Sequence, residues 1–208
     1  MSWDKVVKRA IRDTLLAIVS LYVIMIISLC IFYPSTMMGI TYDLGMDKLS
    51  MHFANTAYKR SGYAGHIAYA TEVAIGIDDE AKIISYGERL IKNKDFLKYC
   101  AKKDDALGED IDSSYEQYIY TQICVAKYDQ GKKTAAVTRA VELTGNEFPP
   151  FNAVAAVLLA ALKNSDVETV ALIREKMQEI DYASLSETDK TYYDAIFGLT
   201  SDENGYAS

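Results

Sequence analysis

The sequence predicts an all-α protein, with one N-terminal transmembrane helix followed by a stack of antiparallel helix hairpins or, alternatively, by a helical bundle. Three observations support this prediction. No charged residue occurs from Thr14 to Tyr42, whereas charges occur at ordinary density through the remainder of the 208 residues. Apolar residues in that remainder recur at helical spacing. No run of alternating β-branched residues bounded by turn signals competes with these helices.

The first element is an apolar segment that begins at Thr14 and ends at Tyr33. About 20 helical residues span roughly 30 Å, the thickness of the hydrocarbon core of a bilayer. Tyr33 suits the lipid–water interface, and Pro34 cannot continue the helix. We therefore expect five segments, which are a cytoplasmic basic N-terminus at 1–13, a transmembrane helix at 14–33, a juxtamembrane linker at 34–46, a helical-repeat-like domain at 47–199 and a flexible tail at 200–208.

A signal peptide would also combine N-terminal cations with an apolar run, so the two must be distinguished. The apolar region of a signal peptide is usually about 7 to 15 residues long and leads to an A-x-A-like cleavage site. Here the run is longer and continues into YPSTMMGITY, which contains no such site. Cys30 follows Leu29, where lipoprotein cleavage needs a small residue, and is interpreted as an ordinary residue of the span. The segment is predicted to be an uncleaved anchor.

The charges that flank the anchor predict its orientation. Four cations precede it, and Lys48 is the first cation after it. Cytoplasmic flanks carry an excess of Lys and Arg, so the N-terminus is predicted to be cytoplasmic and the helical domain extracytoplasmic. This is the type II arrangement, at the cell membrane. The topology-setting cations are Lys5, Lys8, Arg9 and Arg12.

Three serine-led capping boxes predict helix starts after the anchor. They begin at Ser113, Ser165 and Ser184, and each serine is followed three residues later by a glutamate. Pro149 and Pro150 stand where prolines are compatible with a further helix start. The apolar faces predicted for these helices are, in chain order, Tyr115, Ile119, Ile123 and Ala126; Phe151, Val154, Ala155, Leu158, Leu159 and Leu162; Val167, Val170, Ala171, Met177 and Ile180; and Tyr192, Tyr193, Ile196 and Phe197.

Short turns predicted at 76–78, 129–131 and 164–166 join these helices in pairs. The last two turns lie about 35 residues apart, close to the helix-hairpin repeat period of roughly 34. The first interval is longer, which an acidic loop after Lys102 would explain. In helix order and period, residues 62–198 resemble a tetratricopeptide-type array. The resemblance implies a curved stack of hairpins whose concave side binds a peptide or partner protein. Helical bundles also contain paired helices, so a bundle remains the alternative.

The histidines and cysteines form no catalytic or metal-binding motif. His52 and His66 do not have the one-turn spacing of a helical zinc site, and Cys100 and Cys124 stand singly. A thiolate nucleophile at Cys124 beside His66 is far less expected than a buried thiol. In an exported domain, Cys100 and Cys124 would either form a disulfide or remain two buried thiols.

Other ligand-binding motifs are also incomplete. The segment from Gly131 to Thr134 mimics the end of a phosphate-binding loop, but Ala126 replaces its first glycine. No G-x-S-x-G elbow occurs. An acidic loop offers oxygen ligands for calcium, but its spacing differs from that of a calcium-binding loop, so a solvated linker is the expectation. Its residues are Asp104, Asp105, Glu109, Asp110 and Asp112.

The formal net charge of −7 argues against nucleic acid as a partner, because phosphates repel acidic surfaces. The lysines of residues 89–103 are interpreted as a solvated helix face. The expected function is that of a membrane-anchored scaffold or accessory protein that binds a protein or peptide, with lipid contacted through the anchor and no cofactor. The alternatives are an anchored enzyme with an unrecognised site and a structural subunit of a larger membrane complex. The sequence leaves the oligomeric state open.

Overall fold

The computed structural model describes residues 3–107, 114–142 and 151–201, and within these ranges the regular secondary structure is entirely helical. The prediction of an all-α protein is confirmed. A single 3-10 turn, Tyr182–Ser184, precedes the last helix. The α-helices are α1 (Trp3–Phe32), α2 (Pro34–Asp43), α3 (Asp47–Ser61), α4 (Ala64–Gly76), α5 (Glu80–Ile91), α6 (Phe96–Leu107), α7 (Tyr115–Asp129), α8 (Lys133–Glu142), α9 (Asn152–Lys163), α10 (Val167–Gln178) and α11 (Glu187–Ser201).

The chain divides into two compact units, Met1–Ala70 and Thr71–Ser208, and α4 crosses the boundary between them. In the first unit, α1 ends at Phe32, as Pro34 predicts, since proline has no N–H for an intrahelical bond. Pro34 is also the first residue of α2, where that missing N–H costs nothing. The segment expected to be a juxtamembrane linker is therefore largely helical.

Helices α2 and α3 form an antiparallel hairpin in the first unit. The side of α2 that carries Pro34, Met37 and Thr41 is buried. The Ser50 hydroxyl, on α3, donates a hydrogen bond of 2.9 Å to the carbonyl of Met38, on α2. This bond connects the two helices. No local pattern in the sequence indicates this hairpin, because α2 continues the uncharged stretch that follows α1.

One backbone turn recurs four times along the chain. At its centre a residue has positive φ, and this residue is Gly45, Asp78, Gly131 or Ser165. At each of them, the next residue donates its N–H to the carbonyl five positions earlier, as from Asp166 to Ala161. This is the Schellman pattern, which satisfies the last carbonyls of one helix before the next helix begins. The turns therefore close the α2–α3, α4–α5, α7–α8 and α9–α10 hairpins in the same way.

The spacing of these turns is regular except at one point. Gly45 and Asp78 are about 34 residues apart, as are Gly131 and Ser165, and this is the period of helix-hairpin repeats. The interval between Asp78 and Gly131 is longer because it also contains α6. The extra length is therefore mainly a helix rather than the acidic loop that the sequence suggested. The lysine-rich segment 89–103 accordingly spans the end of α5, a turn and most of α6.

In the second unit, the hairpins α7–α8 and α9–α10 pack against each other. The first helices, α7 and α9, are in contact, and so are the second helices, α8 and α10. Helix α7 also packs on α5, where Lys127 forms a 2.8 Å ion pair with Glu88. The core between the hairpins contains Cys124, Val137, Val154, Leu158 and Ile173. Helix α7 buries its predicted face, which is Tyr115, Ile119, Ile123 and Ala126.

The predicted faces of the next two helices are partly wrong. Leu159 and Val167 are exposed, whereas Val157 and Ile173 are buried instead. The buried side of α9 is centred about one residue position away from the predicted face. The reason is that α9 contacts neighbouring helices on more than one of its sides. Phe151 is buried as predicted, but it is the N-cap of α9 with φ of 80° rather than a residue of the helix.

The predicted capping serines lie one or two residues too early. The observed N-cap of α7 is Ser114, and that of α10 is Asp166, because Ser165 already closes α9 as the residue with positive φ. At α11, Ser186 accepts a hydrogen bond from the N–H of Asp189, whereas Ser184 belongs to the preceding 3-10 turn. Ser113, Pro149 and Pro150 lie outside the described residues. So do residues 202–208 of the predicted tail, into which α11 extends as far as Ser201.

Candidate membrane span and hairpin surface

The segment Val6–Phe32 of α1 is long and apolar enough to cross a membrane. Its mean hydropathy reaches 2.9, and none of its most apolar window is buried. The predicted boundaries at Thr14 and Tyr33 fall on this helix and one residue beyond it, and both side chains are exposed. A helix with apolar side chains on all sides is typical of burial in a large core or in lipid. The first of these environments is absent around α1 in the part of the chain that the structure describes.

The cations predicted to set the topology lie on the first turns of α1. Lys8, Arg9 and Arg12 are exposed, and nothing is described of the Lys5 side chain. Arg9 and Arg12 pair with Asp13, at 3.8 Å and 3.0 Å. These contacts are solvent-exposed and contribute little energy. The charged end of α1 lies immediately before the uncharged segment.

The other end of α1 is tied to the α2–α3 hairpin. The guanidinium Nη1 of Arg60, in the last turn of α3, donates a hydrogen bond to the carbonyl of Ile31. This carbonyl is one of the helix-terminal acceptors that have no intrahelical partner. Ser28, Leu29 and Cys30, just before it, are half-buried. The hairpin is therefore held against the end of α1.

Burial makes the two cysteines of the second unit unreactive. Cys100 lies on α6 and Cys124 on α7, and both are buried free thiols. Burial raises the pKa of Cys100 to about 12 and that of Cys124 to about 11. A thiolate nucleophile needs the opposite shift. The two sulfurs are not bonded to each other in this structure, so the disulfide between Cys100 and Cys124 stays a prediction for the oxidised chain.

The histidines and the acidic loop form no ligand site that the structure describes. His66 Nδ1 lies 3.0 Å from the Ser61 hydroxyl, and burial lowers the pKa of His66. His52 is exposed on α3. Within the described ranges, no group of three histidine, cysteine or acidic side chains is placed to hold a metal ion. Asp104 and Asp105 end α6, while Glu109, Asp110 and Asp112 lie outside the described residues.

Asp166 joins the two hairpins of the second unit. It is the N-cap of α10 and accepts hydrogen bonds from the Thr169 N–H and hydroxyl. It also receives the Tyr128 hydroxyl, from α7, at 3.1 Å and the Lys133 ammonium, from α8, at 2.8 Å. Burial alone raises the pKa of the Asp166 carboxyl, but these donors outweigh it and lower the pKa to about 2. The carboxylate therefore links the α7–α8 hairpin to the start of α10.

A second polar cluster attaches α6 to its neighbours. The Lys103 ammonium pairs with Glu72, on α4, at 3.1 Å and lies over the rings of Tyr99 and Tyr115. Asp104 accepts the backbone N–H of Tyr115 at 2.7 Å. Cations over aromatic faces are attracted by the ring electrons. These contacts fix the inserted helix to α4 and α7. No sequence pattern indicates these contacts, because the residues that form them are far apart along the chain.

The first helices of the two hairpins in the second unit, α7 and α9, each carry an exposed large side chain. Tyr118, on α7, and Leu159, on α9, are both exposed, and Leu159 is 61% exposed. The two helices that carry them pack side by side. Tyrosine is among the residues enriched at protein interfaces, and isolated exposed apolar residues are otherwise ordinary. The exposed parts of α7 and α9 that carry Tyr118 and Leu159 are here together called the hairpin face.

Comparison with known proteins gives no match, either to protein-family models, to curated proteins or to solved structures.

Proposed function

We propose that this chain is a membrane-anchored helical scaffold or accessory protein, which holds a partner protein or peptide at the extracytoplasmic face of the membrane. It works by binding rather than by catalysis. The observation that carries the proposal is the apolar surface of α1, which is exposed along its most apolar window. Roughly 20 apolar residues in a helix match the hydrocarbon core of a bilayer, and inserting them removes this surface from water.

Extraction of membranes at alkaline pH tests the anchor. The wild-type chain is expected in the membrane pellet. Replacing Ile18 and Ile24 by arginine places two charges in the span, each costing about 2.5 to 3.5 kcal/mol at its centre, so this variant should move to the soluble fraction. The matched control replaces two exposed apolar residues of the second unit, Leu97 and Val167, by arginine. A wild-type chain that is extracted as readily as the Ile18/Ile24 variant would contradict the anchor.

The charges before the span support a cytoplasmic N-terminus. A cysteine introduced at Lys98, exposed on α6, should react with a membrane-impermeant maleimide in intact cells. A cysteine at Lys8 should react only after the membrane is permeabilised. The reverse pattern would overturn the orientation and leave the anchoring itself intact.

The recurrent turns support the tetratricopeptide-like part of the proposal. The two helices of each of four hairpins are joined by the same Schellman turn, and two of the three intervals between turns match the period of about 34 residues. We infer that α2–α3, α4–α5, α7–α8 and α9–α10 are four degenerate repeats, with α6 inserted after the second. In the second unit the first helices α7 and α9 pack side by side, as in such arrays, whose surfaces suit extended partners.

The hairpin face is the proposed binding surface. The experiment is purification of the full chain from detergent-solubilised membranes, with the co-purifying proteins identified by mass. Replacing Tyr118 and Leu159 by alanine should reduce a specific partner severalfold, whereas replacing Val167, exposed on α10, should leave it unchanged. Equal recovery of the partner with all these variants would exclude the hairpin face as its binding surface.

A further inference from the structure

Two adjacent cations lie at the end of α3, where the α2–α3 hairpin meets α1. Lys59 and Arg60 are both in the last turn of α3, and both are exposed. The Arg60 guanidinium donates to the carbonyl of Ile31, which is about 3 Å along the helix axis from the predicted end of the span at Tyr33. This hydrogen bond therefore fixes the charge of Arg60 at the level where the span ends.

The two cations have donors left for a ligand. A guanidinium has five N–H donors, and the bond to Ile31 uses one of those of Arg60. Among the described residues, neither Lys59 nor Arg60 forms an ion pair with a carboxylate, whereas Lys127 and Lys133 each do. The remaining donors of Arg60 and the ammonium of Lys59 can therefore bind an anion from outside the chain.

The hairpin also carries opposite charge at its two ends. Its acidic residues, Asp43 and Asp47, lie at the tip together with Lys48, so the tip has a net negative charge. The base has a positive charge, from Lys59 and Arg60, and α2 separates the two ends by about 15 Å. An anionic surface at the end of the span would attract the base and repel the tip.

Aromatic side chains lie at the same end of the hairpin. Phe32 and Tyr33 follow directly on Ile31 and are 69% and 61% exposed, and Tyr63, just after α3, is 51% exposed. Tyrosine is enriched where lipid meets water, because its ring is apolar and its hydroxyl is polar. Tyrosines beside exposed cations are therefore typical of a segment that contacts lipid headgroups.

We propose that Lys59 and Arg60 bind the phosphate of an anionic phospholipid, in the leaflet where α1 ends. This inference rests on the proposed membrane span. Lipid phosphates lie just outside the hydrocarbon core, which is the depth that the bond to Ile31 gives Arg60. The planar guanidinium matches two phosphate oxygens, and the Lys59 ammonium adds a second positive charge. The lipid holds the base of the α2–α3 hairpin on the membrane surface.

Fluorescence quenching tests this contact, with the full chain reconstituted in phosphatidylcholine nanodiscs. Cys30 is replaced by serine, and a fluorophore is attached at Ser61→Cys, next to the two cations; the other two cysteines are buried. Phosphatidylglycerol with a nitroxide near the top of its acyl chain should quench this fluorophore at lower content than phosphatidylcholine with the same label. A fluorophore at Leu49→Cys, exposed at the tip, should show no preference for the anionic lipid.

Substitutions of single charges identify the residues that bind. Lys59→Gln leaves the bond from Arg60 to Ile31 in place. It should raise the phosphatidylglycerol content needed for half-maximal quenching about fivefold, the effect of one cation near an anionic surface. Arg60→Gln should raise it at least as much. Lys48→Gln, which removes an exposed lysine from the other end of α3, should leave it unchanged.

Three results would overturn the lipid site and leave the span intact. The first is equal quenching at Ser61→Cys by the two lipids, and the second is an unaltered half-maximal content in Lys59→Gln. The third is loss of the preference on addition of inorganic phosphate at constant ionic strength, which would assign the cations to a soluble anion. A chain extracted from membranes at alkaline pH would instead refute the span, and this inference with it.

Discussion

The Tyr128 hydroxyl, on α7, donates a 3.1 Å hydrogen bond to Asp166 at the start of α10. It connects two hairpins at residues that lie far apart along the chain. Because Asp166 also caps α10 and pairs with Lys133 on α8, one carboxylate serves three helices. Its side chain is only 10% exposed, so these contacts are sheltered from water.

Asp166→Ala should therefore destabilise the protein by about 2–3 kcal/mol, because it removes a helix cap together with two hydrogen bonds to a charged group. The control is Asp79→Ala. Asp79 caps α5 in the equivalent turn by accepting the Lys82 N–H, and its loss should cost about 1 kcal/mol. Urea unfolding of the detergent-solubilised chain, followed by helical circular dichroism, measures both. Equal costs would show that Asp166 acts only as a cap.

The contribution of Asp166 should depend on pH in a defined window. Its pKa is lowered to about 2 in the folded chain, from 3.8 ordinarily. A carboxyl with a lowered folded pKa stabilises the protein above its unfolded pKa and loses this contribution as the pH falls towards the folded pKa. The stability difference between wild type and Asp166→Ala should thus be constant above about pH 5 and shrink between about pH 4 and 2. A difference that stays constant down to pH 2.5 would contradict the assignment.

Gly87 should tolerate no larger side chain. It lies on α5, where an added Cβ would come within 2.7 Å of the buried Ile123 side chain of α7. Gly87→Ala should destabilise by about 1–3 kcal/mol through overpacking, despite the better helix propensity of alanine. At Gly198, in α11, an added Cβ meets nothing within 4 Å, so Gly198→Ala should be neutral or stabilise by up to about 1 kcal/mol. Thermal unfolding of the two variants gives the comparison.

The buried thiols should resist alkylation in the folded chain. Because burial raises the pKa of Cys100 and Cys124 to about 12 and 11, almost no thiolate exists at pH 8. A maleimide should label neither until the chain is unfolded, as read from intact mass. If both label on unfolding without reductant, they are free thiols. If they label only after reduction, the predicted disulfide exists.

The sequence predicted the helical class and the long apolar N-terminal helix well because both depend on local composition. The turns at Asp78, Gly131 and Ser165 were found for the same reason. The first hairpin was missed because Gly45 follows an uncharged stretch that resembles the end of a membrane segment. The exposure of Leu159 could not be predicted, since it depends on which neighbours cover each side of α9. The contacts of Asp166 and Lys103 join distant segments, and no local pattern indicates them.

The short connection after α1 has a mechanical consequence. Only Tyr33 separates α1 from α2, and Arg60 ties the end of α3 to the carbonyl of Ile31. The α2–α3 hairpin is therefore connected to the end of α1 without a flexible linker. If α1 rotated about its axis or changed its tilt, the α2–α3 hairpin would move with it as one rigid body. No flexible linker lies between them that could take up the motion.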